Sequence, residues 1–128
     1  MRLGSWTTRI KEGTRAFQVY GKTEIRERHR HRYEFNMKYR DRMNEKGFVI
    51  SGTSPDGTLA ELIELRDHPY FVGCQYHPEF QSKPNKPHPL FKGFIEACLA
   101  FDPKSAKRAS ADPKSQRRAP DQELVLQR

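Results

Sequence analysis

A histidine and a glutamate separated by a proline, His77 and Glu79, form the residue pair best suited to chemistry in this chain. They follow the apolar run FVGCQY, which has the length of a β-strand. Residues i and i+2 of an extended segment project to the same side, so the imidazole and the carboxylate are expected to meet. A histidine held this way can accept and return a proton while the carboxylate fixes its tautomer. The alternative is a surface turn that only ends the strand.

A catalytic base serves a nucleophile, and the nearest candidate is Cys74, three positions before His77. An odd separation places the two side chains on opposite faces of a strand, with Cα atoms about 10 Å apart. Cys74 is embedded in apolar sequence and Cys98 lies on the apolar stripe of a predicted helix, so core packing is expected for both thiols. No Gly-x-Ser-x-Gly motif is present either. The chain is therefore predicted to hold no nucleophile for the pair.

The stretch RERHRHRYE, residues 26–34, is the second group of residues with chemical potential. In an extended conformation Arg28, Arg30 and Arg32 would line one side, and His29 and His31 the other. Guanidinium groups bind carboxylates and phosphates through pairs of parallel hydrogen bonds. The arginine side therefore predicts a site for an anion.

Three other interpretations of this stretch stay open. The first is a solvated charged strand. The second is a metal site in which His29 and His31 are joined by His77 and Glu79, although the flanking arginines oppose a cation, and no metal is expected. The third is RNA binding through the arginines, the nearby aromatic residues Tyr33 and Phe35, and the basic C-terminal segment.

Local patterns predict the elements that position these residues. In chain order they are an extended segment over 2–10, a short helix in RAFQVY, a strand passing into a loop in EIRERHRHRYEFN, a short helix in MKYRDRMNEKG, a hairpin of FVISGTS and LAELIEL about SPDGT, a strand in YFVGCQY and a proline-rich loop. The continuous apolar run YFVGCQY is typical of a strand covered on both faces. A final helix, opened by Pro89, carries an apolar stripe made of Leu90, Phe91, Phe94, Ile95, Cys98 and Leu99.

Composition limits the classes of protein that fit. A chain of 128 residues has room for one domain, and its net charge of +8 would attract anions without deciding function. Residues 102–128 contain no aromatic side chain, and their seven basic and four acidic residues predict a disordered basic tail after an ordered part over 1–101. No run approaches the roughly 18 apolar residues of a membrane helix, and the first residues lack the apolar stretch of a signal peptide. A cytoplasmic protein without a membrane partner is expected.

Three segments together resemble one family. MRLG, ERHRHRYEFN and VGCQYHPEFQSKP…HPLFKGF, in this order and spacing, are similar to the C-terminal half of the class I glutamine amidotransferase domain of CTP synthases. HPEF alone indicates a class I amidotransferase, and RHRHRYE with it indicates a CTP synthase. The resemblance covers about residues 1–100. It implies an α/β fold, the C-terminal portion of a three-layer sandwich with a mixed sheet and flanking helices, in which residues 1–101 are a partial amidotransferase domain.

The resemblance also implies roles for individual residues. His77 and Glu79 match the catalytic pair of the family, and Arg32, directly before Tyr33, matches the arginine that contacts the substrate L-glutamine. In the family a cysteine attacks the side-chain amide of glutamine. The histidine protonates the departing ammonia and later activates water, while the glutamate orients the histidine. The ammonia then aminates UTP to CTP in a synthetase domain that uses ATP and Mg.

This chain departs from the family pattern because it lacks the Gly-x-Cys-x-Gly elbow, the glycine-rich oxyanion segment and the synthetase domain. It is therefore expected to be a C-terminal piece of a CTP synthase that binds no cofactor and is inactive alone. Its expected partners are the missing N-terminal amidotransferase half and the synthetase domain, within a homo-oligomeric full enzyme. The alternative is a non-catalytic nucleotide- or RNA-binding module derived from an amidotransferase, although nucleic acid is the less expected partner.

Overall fold

The computed structural model describes residues 1–101, which form one five-stranded sheet with accompanying helices. The strands are Arg2–Ile10 (β1), Glu24–His31 (β2), Phe48–Thr53 (β3), Ala60–Leu65 (β4) and Val72–Cys74 (β5). Their order across the sheet is β2-β1-β3-β4-β5. The helices are Arg15–Tyr20 (α1), Arg40–Glu45 (α2) and Pro89–Ala100 (α3), and 3-10 turns lie at Met37–Tyr39 and Pro78–Phe80.

The predicted α/β class is confirmed, and every predicted element within residues 1–101 is present. The resemblance implied a mixed sheet, whereas all strand pairings in this part of the chain are antiparallel. The tail predicted over 102–128 lies outside the described residues. None of the helices in the described part is long and apolar enough to cross a lipid bilayer.

Helix α1 is stabilised by capping residues at its two ends and by a carboxylate from a distant strand. Thr14 Oγ1 accepts a hydrogen bond from Phe17 N–H in the first turn at 3.2 Å, and Gly21, with a φ of +67°, ends the helix. The Glu64 carboxylate in β4 accepts hydrogen bonds from the N–H groups of Arg15 and Ala16 at 3.0 and 3.1 Å. These N–H groups have no partner inside the helix, so the strand completes the helix start and fixes α1 on the sheet.

The turn SPDGT joins β3 to β4, as predicted. The Asp56 carboxylate accepts a hydrogen bond from Thr58 N–H at 3.2 Å, and Gly57, with a φ of +75°, donates its N–H to the Ser54 carbonyl at 2.8 Å. β4 in turn pairs with β5. The strand that leads to His77 is thereby anchored to the sheet.

The core lies between the sheet, α1 and the first turns of α3. Its buried members are Ile10, Ala16, Ile25, Leu62, Tyr76 and Leu90. α3 comes close to α1 at Gly93, where an added Cβ would lie 2.6 Å from Val19 Cγ1. Because Tyr76 is part of this core, the chain enters the His77 turn from a fixed point.

Helix α3 is confirmed, and most of its apolar stripe is exposed. Leu90 and Gly93 are buried, whereas Phe94 is 50% exposed and Leu99 83% exposed. Cys98 is exposed as well, so the prediction that this thiol packs in the core is wrong. The stripe is wider than the surface that α1 and the sheet offer within residues 1–101.

Strand β5 also differs from the prediction. Its apolar run predicted a strand covered on both faces, but β5 lies at the edge of the sheet and Val72, Gly73 and Cys74 are all partly exposed. Within the described residues only β4 pairs with it. A continuous apolar run cannot by itself distinguish an edge strand from a central one.

Candidate active site

His77 and Glu79 contact each other at the beginning of the loop that follows β5. His77 Nδ1 lies 2.8 Å from Glu79 Oε1. The contact is the one predicted, but the extended backbone that predicted it is absent. Pro78 begins the 3-10 turn Pro78–Phe80, and Glu79 is the second residue of that turn. The fixed φ of proline suits the first position of a helical turn, so Pro78 favours the turn at this point. This turn brings the His77 and Glu79 side chains together.

This hydrogen bond determines the chemical state of both groups. The bond from His77 holds the pKa of Glu79 below its ordinary value. An ionised carboxylate only accepts, so Nδ1 carries a proton, and in the neutral imidazole Nε2 holds the lone pair. Nε2 of His77 has no hydrogen-bond partner among residues 1–101, and 31% of the side chain is exposed. An imidazole in this tautomer can take a proton from an incoming group.

The plane and position of the imidazole are fixed from β2. Phe80 stacks on His77 with ring centroids 5.3 Å apart and an interplanar angle of 26°. The Arg30 guanidinium lies 5.7 Å from the centroid of the Phe80 ring. His77 N–H donates to the Arg28 carbonyl oxygen at 2.9 Å. The candidate base is therefore attached to the strand that carries the arginines.

Cys74 is poorly suited to be the nucleophile. Its Sγ donates a hydrogen bond to the Tyr76 carbonyl oxygen at 3.3 Å, and the side chain is partly buried. Burial, and then the negative charges of Glu27 and Glu79, raises the pKa of the Cys74 thiol to about 12. Such a thiol holds almost no thiolate near neutral pH, and the thiolate is the reactive form. This supports the prediction that Cys74 packs and does not attack.

β2 alternates as the sequence predicts. Arg26, Arg28 and Arg30 are exposed, and the residues between them are buried. Arg32 stands directly after the end of β2 and is exposed on the following loop, so it does not continue the strand row. Its guanidinium makes no ion pair within the described part of the chain and is available to an anion.

A charged cluster around the buried Arg2, which sequence reasoning missed, anchors the loop that carries Arg32. Arg2 Nε and Nη2 donate to the two carboxylate oxygens of Glu34 at 2.7 and 2.6 Å, and Arg2 Nη1 donates to the buried Glu61. Burial opposes ionisation, but the hydrogen bond from Arg2 and the positive charge of Arg2 together outweigh it, and the pKa of Glu34 lies below its usual range. Glu61 within the apolar run LAELIEL was the available signal, because a charge in a buried strand needs a partner.

The two histidines of the arginine stretch are used in internal hydrogen bonds. His31 Nδ1 donates to the Tyr33 carbonyl oxygen at 2.8 Å, so its Nε2 accepts from His29 Nδ1 at 2.9 Å. Burial, and then the charge of Arg2, lowers the pKa of His29 to about 4. Among residues 1–101 no group of three or more His, Cys, Asp or Glu side chains could hold a metal ion. The His-x-His pair therefore supports the loop before Arg32.

The sequence matches the family described as "Glutamine amidotransferase class-I" over residues 2–97. It is 59% identical over 101 residues to the CTP synthase of Staphylococcus aureus strain NCTC 8325 / PS 47, and equally to that of strain JH9. Each match covers 79% of this chain and 19% of the relative. The chain thus spans about a fifth of the length of these curated relatives.

A solved structure is similar in fold as well as in sequence. It is the glutaminase domain of Trypanosoma brucei CTPS with bound acivicin, with a TM-score of 0.73 and 32% identity. The match covers 80% of this chain and 41% of that chain. The resemblance recognised in HPEF and RHRHRYE is confirmed, and this chain belongs to the class I glutamine amidotransferase family.

Proposed function

We propose that this chain supplies the histidine and glutamate half of the glutaminase site of a CTP synthase. The observation that carries the proposal is the 2.8 Å contact between His77 Nδ1 and Glu79 Oε1, with Nε2 open. The 59% identity to CTP synthases over 101 residues supports the same assignment. A pair of this kind acts as a base only when a nucleophile is brought to it.

His77 would act as the proton carrier of glutamine hydrolysis. His77 Nε2 takes the thiol proton of a cysteine, the resulting thiolate attacks the amide carbon of glutamine, and His77 then gives this proton to the departing ammonia. It then takes a proton from the water molecule that cleaves the thioester. Glu79 keeps the proton on Nδ1 and stabilises the charged imidazolium through the same hydrogen bond.

Arg32 would bind the α-carboxylate of the substrate glutamine. Its guanidinium is exposed and belongs to a loop anchored by the bidentate contact of Arg2 with Glu34. Arg32 follows Arg28 by four residues, at most about 13 Å of extended chain, and the Arg28 carbonyl holds His77. The carboxylate receptor and the proton carrier are thus attached to the same strand.

The attacking cysteine would come from outside these 128 residues. Cys74 has a pKa raised to about 12, and Cys98 lies exposed on α3 rather than on a strand-to-helix turn. We assign the ATP, UTP and Mg²⁺ chemistry to a synthetase part that is likewise separate from residues 1–101. Ammonia would be the product passed between the two parts.

The test is ammonia release from glutamine, measured for the purified chain alone and after mixing with a polypeptide that carries the N-terminal part of the amidotransferase domain. We expect no release by the chain alone and release by the mixture. A matched pair of mixtures contains the variants His77→Ala and His68→Ala, because both histidines lie in loops and only His77 contacts Glu79. Release by the chain alone, or full activity with His77→Ala, would overturn the proposal.

A second candidate function is binding of an anionic polymer or nucleotide without catalysis. The observation that favours it is the exposed row Arg26, Arg28 and Arg30 on β2. Such binding weakens steeply as salt concentration rises, because counterions are released from the polyanion. Affinity for a single-stranded RNA that is independent of salt, or unchanged when these three arginines become serines, would exclude it.

A further inference from the structure

A buried carboxylate outside the residues assigned above, Glu27, joins three separate parts of the molecule. Glu27 lies on the inner side of β2 and is 3% exposed. It accepts hydrogen bonds from Tyr20 Oη at 3.1 Å, from His88 Nε2 at 2.8 Å and from Gln81 Nε2. A buried carboxylate is costly unless donors surround it, so these contacts form one unit.

The contact with Gln81 fixes the end of the turn that contains Glu79. Gln81 follows the 3-10 turn Pro78–Phe80 directly, and its Nε2 also donates to the Arg26 carbonyl oxygen at 2.9 Å. At the beginning of the turn, His77 N–H donates to the Arg28 carbonyl oxygen at 2.9 Å. Both ends of the turn are therefore attached to β2, one through the backbone and the other through Gln81.

The remaining contacts fix the chain on either side of the turn. Tyr20 Oη lies 2.8 Å from Tyr76 Oη, and because Tyr20 donates to Glu27, Tyr76 donates to Tyr20. Tyr76 directly precedes His77. On the far side, His88 Nδ1 accepts from Leu90 N–H at 3.3 Å at the start of α3, so His88 Nε2–H donates to Glu27. The Glu27 carboxylate is thus linked to the chain both before the turn, through Tyr20 and Tyr76, and after it, through His88.

We propose that Glu27 is a positioning residue: by binding Gln81, Tyr20 and His88 it keeps His77 and Glu79 within hydrogen-bond distance of each other. Glu27 touches neither His77 nor Glu79 and acts through the turn between them. The geometric part of the proposal stands on these contacts alone. Its consequence for catalysis rests on the proposed glutaminase function.

The geometric part is tested in the purified 128-residue chain, without any activity, by following the titration of the Glu79 carboxyl carbon by NMR. Gln81→Ala removes the exposed side chain that links the turn to Glu27. We expect the pKa of Glu79 to rise toward its ordinary value, because the hydrogen bond from His77 that lowers it is formed less often. Gln18→Ala, which alters an exposed glutamine on α1, is the matched control and leaves that pKa unchanged. An unchanged Glu79 pKa in a folded Gln81→Ala chain overturns the proposal.

The catalytic part is tested in the mixture that releases ammonia. Gln81→Ala lowers kcat by roughly 10- to 100-fold through displacement of the base, while KM for glutamine stays unchanged because Arg32 is not affected. Glu27→Gln, which keeps the shape of the side chain, gives the same split between kcat and KM. A rise in KM with kcat unchanged overturns the positioning role. A shifted Glu79 pKa together with no ammonia release from any wild-type mixture would instead reject the proposed function and leave the geometric part standing.

Discussion

At the scale of single residues, the orientation of one imidazole determines what the candidate site can do. Glu79 accepts from His77 Nδ1, and this leaves Nε2 as the atom that can exchange a proton with a substrate. The residue proposed to bind the glutamine carboxylate is Arg32, whose guanidinium is exposed beyond the end of β2. The roles of His77 and Arg32 can be tested by separate substitutions.

Replacing Arg32 with alanine is expected to weaken glutamine binding in the complemented enzyme. Loss of a hydrogen bond to a charged group costs about 1.5–3 kcal/mol, which corresponds to an increase in KM of roughly 10- to 150-fold. The measurement is ammonia release as a function of glutamine concentration. Arg26→Ala, another exposed arginine of the same stretch, is the control and should leave KM unaltered. A loss confined to kcat would contradict the assignment of Arg32 to the carboxylate.

The buried His29 predicts how stability depends on pH. Burial, and then the charge of Arg2, lowers its pKa from 6.5 to about 4, so between these values the unfolded chain binds the proton and the folded chain does not. The free energy of unfolding should therefore fall as the pH decreases from 6.5 toward 4. His29→Asn removes this titrating group, and a folded variant should show a smaller change in its urea midpoint over this range. The exposed His68→Asn is the control, and equal pH dependence in both variants would count against the prediction.

At the scale of secondary-structure elements, β1, β4 and the loop after β2 are joined by one arginine. Arg2 is buried and binds both Glu34 and Glu61. Neither partner is near it in sequence, since Glu34 is 32 residues away and Glu61 is 59 residues away. The loop that carries Arg32 is therefore positioned by contacts that only the folded sheet creates.

Arg2→Ala is expected to lower the free energy of unfolding by about 3–5 kcal/mol, because it leaves Glu61 buried without its cationic partner. Arg9→Ala in the same strand is the matched control. Arg9 is exposed, and among residues 1–101 its guanidinium donates only to the Pro55 carbonyl oxygen, at 2.9 Å, so loss of the side chain should cost less than about 1.5 kcal/mol. Chemical denaturation measures both values. Similar costs for the two variants would show that Arg2 does not neutralise a buried charge.

At the scale of the whole molecule, a large apolar surface on α3 lies exposed. It consists of Phe91, Phe94, Ile95 and Leu99, which are between 41% and 83% exposed. Contiguous apolar patches on soluble proteins usually mark a surface that another chain or segment covers.

We expect the purified chain to self-associate through this surface when no partner covers it. Ile95→Lys and Leu99→Lys should shift the chain toward the monomer in sedimentation velocity experiments, because each places a charge on the patch. Glu96→Lys alters the same helix at an exposed polar position and is the control. If both lysine variants sediment like the unmodified chain, the α3 surface is not the site of association.

Much of the fold could be predicted from local patterns because the relevant interactions are local. Thr14 and Gly21 bound α1, the sequence SPDGT closes the hairpin, and Pro89 opens α3. The contact between His77 and Glu79 follows from the sequence as well, but the backbone conformation predicted for it is wrong. An extended segment was predicted, whereas Pro78 starts a 3-10 turn that brings Glu79 back to His77.

The residue types of the candidate site, the alternation of β2 and, through HPEF and RHRHRYE, the family could all be read from the sequence. The three-dimensional fold was needed to show which charges are buried together, as with Arg2 and Glu61 or Glu27 and His88. It also decided which apolar residues stay exposed on α3. The physical reason is that hydrogen-bond donors and apolar partners for these groups come from strands and helices far apart in the chain, and periodicity within one element carries no information about them.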